Sequence, residues 1–124
     1  MYDKYYLIIV MQETILRECN RNKMMSYYGY DGDNISNFAS HILQQILSLL
    51  KSIRVFNHDL NFLLEKIIVN MVLIQEEGVQ LDETLLKEVY TLYLLKIGYM
   101  SDSICLAKML QIIGPNQSVI ASIQ

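Results

Sequence analysis

The sequence predicts an all-α fold, a compact single-domain bundle of five to six helices spanning residues 1–124. Two observations carry that prediction. Apolar residues recur three and four apart along most of the chain, which is the period of one helix face. Short polar breaks holding capping residues separate the runs. A third observation bounds the size, since 124 residues make one domain.

The first run begins at Asp3, suited to an N-cap, and reaches about residue 25. Ile8, Met11, Ile15 and Cys19 form a stripe that Leu7 and Leu16 widen, with Glu13, Arg17, Glu18 and Arg21 mostly opposite. Residues 5–11 are rich in β-branched and aromatic side chains and could open as a strand. No second strand pattern offers it a partner, so a helix is expected. Residues 26–33 follow as the clearest loop, with Gly29 and Gly32 free to take positive φ.

Asp33 or Asn34 can cap the second helix, residues 35–53. Ile35, Phe38, Ala39, Ile42, Ile46, Leu49 and Ile53 share one face, against Gln44, Gln45, Ser48, Lys51 and Ser52. The third helix, residues 60–74, starts behind Asn57 as N-cap with Asp59 favourably placed at the positive end of the helix dipole. From residue 67 to 74 it is apolar all round except for Asn70, the signature of a fold centre or an interface. The short break at residues 57–59 favours an antiparallel hairpin of these two helices at the centre of the bundle.

Gly78 stops the third helix. Asp82 caps a fourth, with Leu81 positioned to staple onto Leu86, and Val89, Leu92 and Tyr93 continuing that side to Lys96 and the terminator Gly98. Ser101 or Asp102 opens a fifth that carries Ile104, Cys105, Met109 and Ile112 and halts at Gly114-Pro115. Residues 118–124 hold Val119, Ile120 and Ile123, too apolar for a solvated tail, and should dock on the bundle or on a neighbour.

Composition then narrows function. The hydrophobic fraction is 52% without glycine, and charged residues are only 19%. Ordinary domains hold about 45–50% apolar residues with glycine included, and about 25% charged. A chain this short buries only about two-thirds of its unfolded surface, so part of the excess must lie outside the core. A net charge of −3 offers no general attraction to phosphate or anionic membrane. No apolar run reaches the roughly 20 residues of a membrane span, and no targeting segment is evident. Cys19 and Cys105 match no metal spacing and sit among apolar residues, which suggests thiols in a reducing, cytoplasmic setting.

No catalytic constellation emerges. His41 and His58 fall at opposite ends of the expected hairpin and should not share a metal. Residues 31–34 open like a calcium loop, but Ile35, Ser36 and Ile42 occupy positions that need ligands or glycine. No catalytic residues, metal or cofactor are therefore expected. Residues 94–110 resemble a helix-turn-helix around Gly98, yet residues 101–113 contain a single base, Lys108.

The favoured expectation is a non-enzymatic protein–protein interaction module, a small adaptor or regulator acting through an apolar helical face as a homodimer. Its contact residues should be those that make the third helix apolar beyond one stripe, Ile68, Val72 and Leu73, with Tyr28 and Tyr30 of the loop as rim contacts. One alternative is a monomeric bundle that accepts an amphipathic partner helix in a groove. The other, a nucleic-acid-binding regulator using the fifth helix, is disfavoured by the missing positive charge.

Overall fold

Side-chain caps decide where most of the helices begin. The computed structural model describes residues 2–25, 33–54 and 57–123. These hold six helices: α1 (Asp3–Met25), α2 (Asp33–Ser52), α3 (His58–Glu76), α4 (Glu83–Ile97), α5 (Ser103–Ile113) and α6 (Gln117–Ser122). The amides of Leu60, Leu85, Cys105 and Val119 donate to Asn57, Asp82, Asp102 and Asn116 at 2.8, 3.1, 2.9 and 3.0 Å. Each cap satisfies an amide that the first helical turn leaves without a partner. In α1 the Tyr2 carbonyl accepts from Tyr5 and Tyr6, so Asp3 lies inside the first turn and not before it. Residues 5–11 belong to this helix, and no strand occurs among the described residues.

Two ties set the direction of α1 against α3. Asn57 Nδ2 donates to Tyr2 Oη at 3.2 Å and Gln12 Nε2 donates to the Ile67 carbonyl at 2.8 Å. Both pairs are 55 residues apart, so the helices run parallel in one register. Tyr90 Oη donates to Gln75 Oε1 at 3.3 Å, while Ser101 donates to Glu65 at the other end of α3, which makes α4 antiparallel to it.

The expected close pairing of α2 with α3 does not form. α2 packs on α1 and α4, α3 packs on α1 and α5, and α6 lies on α4. The two central helices meet only across the shared core, to which α2 gives Ile42, Ile46 and Leu50, and α3 gives Leu64, Ile67 and Met71, all fully buried. A short polar break dictates a reversal of direction but not adjacency. Here each helix fills its flanks with other partners. Lys96 from α4 donates to the carbonyls of Leu50 and Lys51, placing a cation on the negative end of α2.

Several inward faces differ from those expected. Leu7 is 57% exposed, and Gln12 takes a fully buried place on α1 beside Tyr5, Ile8, Ile15 and Cys19. In α4 the buried tyrosines are Tyr90 and Tyr93, whose hydroxyls still reach Gln75 and the Tyr99 carbonyl, while Leu92 is half-buried. Ile104 is 69% exposed and does not join Cys105 and Met109 in the core. The tail does dock on the bundle: Val119 is fully buried and Ser122 Oγ donates to the Leu94 carbonyl at 3.2 Å. That docking needs Gly98, which sits at φ 69° and where an added Cβ would lie 2.9 Å from the Ser122 carbonyl.

Candidate functional site

α3 has more apolar positions than a single inward face can use. Its core side carries Leu60, Leu63, Leu64, Ile67 and Met71. Ile68 and Val72, on the flank that faces α5, are 0% and 3% exposed. Both were expected as contact residues. Neither reaches the surface of the chain, because α5 lies beside α3 and covers that flank. Leu73, the third, is different: it is 45% exposed. Tyr28 and Tyr30 lie outside the described residues.

Leu73 does not stand alone. Phe62, Lys66, Val69, Leu73 and Glu76 follow one another at steps of four and three residues, which keeps them on one side of the helix. Phe62 is 67% exposed and Val69 is half-buried. The stripe is therefore an apolar face turned outward, away from the core side. Sequence spacing alone could have found it, since the same repeat that selects residues 60, 63, 64, 67 and 71 leaves this second set between α1 and α5.

α5 borders the stripe. Ser101 donates its amide to Glu65 Oε1 at 2.6 Å, and its hydroxyl donates to the same oxygen. Lys108 pairs with Glu76 at 3.5 Å. These two ties fix α5 alongside α3 and running in the same direction. Ile104 lies four residues before Lys108, hence on the same side of α5 as the residue that pairs with Glu76 of the stripe. Phe62, Val69, Leu73 and Ile104 make an apolar patch with Lys66 and Glu76 as its charged members.

A second exposed apolar group sits on α1, where Tyr6, Leu7 and Val10 are each more than half exposed. Leu7 also helps line a groove of about 550 Å³ between α1 and α2, with Ile8 and Leu49 as its floor and Lys4 and Gln45 at its edge.

Acid–base chemistry finds little support. Burial pushes the Cys105 thiol up to about 11, with the Asp102 and Glu65 charges adding to the effect. Burial likewise raises Tyr90 and Tyr93 well above the ordinary tyrosine value. Each shift keeps the neutral form, which suits packing and not nucleophilic attack. Cys19 and Cys105 are both buried and no disulfide joins them. His41 is exposed on α2 and hydrogen-bonds Gln45 at 3.0 Å, while His58 is exposed at the start of α3. Among the described residues no cluster of His, Cys, Asp or Glu could hold a metal ion, and no helix is long and apolar enough to cross a membrane. The exposed side of α5 presents Ile104, Ala107 and Gln111, and its lone base is already tied to Glu76.

Comparison with family models, with curated proteins and with solved structures finds no match.

Proposed function

We propose that the chain is a non-enzymatic protein-interaction module, a small adaptor or regulator, whose contact face is the outward apolar stripe of α3 together with Ile104 of α5. The single observation that carries this reading is Phe62 at 67% and Leu73 at 45% exposure on one helix face, flanked by an exposed isoleucine. Apolar surface of this kind costs about 25 cal/mol per Å² while it remains wetted, and association removes that cost. A second copy of the chain is the first partner to consider, as the same patch serves both sides of a two-fold dimer.

The chain contains no tryptophan, so Phe62→Trp gives a single reporter on the face. Its emission should move to the blue as concentration rises, and Leu73→Asp in the same background should abolish that movement. An emission maximum that stays red at every concentration would remove this reading. The groove between α1 and α2 favours a second one, in which a monomer takes an amphipathic partner helix against Leu7, Ile8 and Leu49.

A further inference from the structure

Beyond Phe62, which lies at its N-terminal edge, the outward stripe of α3 reads Lys66, Val69, Leu73, Glu76, a cation, two apolar residues and an anion. Turned end for end, the same stripe reads anion, apolar, apolar, cation. We infer that two copies of the chain pair through α3 in antiparallel fashion about a two-fold axis at the height of Met71, with Lys66 against the partner's Glu76 and Val69 against the partner's Leu73. This rests on the reading of the α3 face as the contact surface, and it adds the orientation and register of the two copies.

Three features of the structure support it. Positions 66 and 76 lie equally far from residue 71, as do positions 69 and 73, so one axis satisfies both the charged and the apolar pairs. A parallel pairing would place Lys66 beside the partner's Lys66 and Glu76 beside the partner's Glu76, which like-charge repulsion opposes. Ile104 supplies the third. It stands between the Ser101–Glu65 and Lys108–Glu76 ties, level with the middle of the stripe, and so close to the proposed axis. Under that symmetry it meets the partner's Ile104, extending the apolar centre from α3 onto α5. Glu76 remains 48% exposed while its Oε1 holds Lys108, which leaves the carboxylate accessible to Lys66 from another copy.

The register is tested with two single charge reversals and their mixture. In Lys66→Glu the position faces the partner's Glu76 and repels it; in Glu76→Lys the repulsion is between lysines. Each variant alone should need about ten times the wild-type concentration to dimerise, the size of two partly exposed ion pairs lost together. Mixed in equal amounts, the two should form a heterodimer near the wild-type concentration, because every facing pair is then opposite in sign. Sedimentation at several concentrations reads all three states, and circular dichroism confirms that the helices persist. Ile104→Cys provides a second reading, as oxidation should convert it to a covalent dimer.

If the mixture associates no better than its components, or Ile104→Cys stays monomeric on oxidation, while Leu73→Asp still dissociates the wild-type dimer, the antiparallel register is wrong and the α3 face stands. If the wild type never exceeds 14.4 kDa, the face itself fails, and the register with it.

Discussion

α2 and α3 are almost equal in length, 20 and 19 residues, and each gives a full inward face to one core. Their outward faces differ. α2 turns His41, Gln44, Ser48 and Lys51 to water, and its one exposed aromatic, Phe38, is 37% exposed near the start of the helix. α3 turns out Phe62, Lys66 and Leu73, with Val69 half-buried among them. The inward faces account for the stability of the fold, and they need nothing further. Phe62 and Leu73 stay exposed on the outward face of α3, so the difference between the two helices puts apolar surface on the outside of α3. By this comparison the outward side of α3 exposes more apolar surface than that of α2 does.

Adjacent residues on α3 offer the hardest way to break that comparison. Val72 is 3% exposed and Leu73 is 45% exposed. Val72→Asp should bury a carboxylate with no partner and cost several kcal/mol, about enough to unfold a domain of ordinary stability. Leu73→Asp should keep the helical circular dichroism and lose association. If the two behave alike, the division of α3 into an inward and an outward side is wrong.

The inward faces should then prove equivalent. Ile46 on α2 and Ile67 on α3 are both fully buried, and truncation of either to alanine should lower stability by about 3 kcal/mol in denaturant titration. A much smaller loss at Ile67 would mean that α3 contributes less to the core than α2 does. A smaller effect concerns the start of α3, where Asn57→Ala removes the oxygen that accepts the Leu60 amide at 2.8 Å. That should cost about 1 kcal/mol. On the outward side of α2, Ser48→Asp should change stability by no more than about 0.5 kcal/mol and leave association untouched.

A separate effect, confined to alkaline solution, is on pH dependence. Cys105 lies in α5, the helix that borders the α3 stripe, and burial raises its thiol from 9.0 to about 11. The folded state therefore holds the proton more tightly than the unfolded chain does. Its contribution is fully present below about pH 9 and is lost progressively as pH rises through about 11. Denaturant midpoints should fall across that window, and Cys105→Ala should flatten part of the fall. An unchanged slope would show that the thiol is not buried as described.

Much of this organisation was legible in the sequence, and the reasons are local. Asn57, Asp82 and Asp102 announce helix starts because a side-chain oxygen at that position reaches the amide three residues on. Gly98 announces a stop because the chain there takes a left-handed turn. The apolar excess of the third helix was legible too, and Leu73 of that excess is 45% exposed. What spacing could not show was which neighbour would cover which flank. Ile68 and Val72 look like surplus on a helical wheel until α5 packs against them, and the placement of α2 across the core from α3 depends on the same long-range choices. Ile104 is expected on the fifth helix with Cys105, Met109 and Ile112, but it is 69% exposed. Helical rotation moves it about 100° from Cys105 and onto the outer edge. Gln12 belongs to no apolar stripe, yet its amide donates to the Ile67 carbonyl from inside the α1–α3 seam.

The most direct measurement is the mass of the unmodified chain by light scattering through a dilution series. Uncovered residues on the outer side of α3 predict a mass that climbs from 14.4 kDa at low concentration to twice that value at high concentration. A constant 14.4 kDa throughout would contradict it.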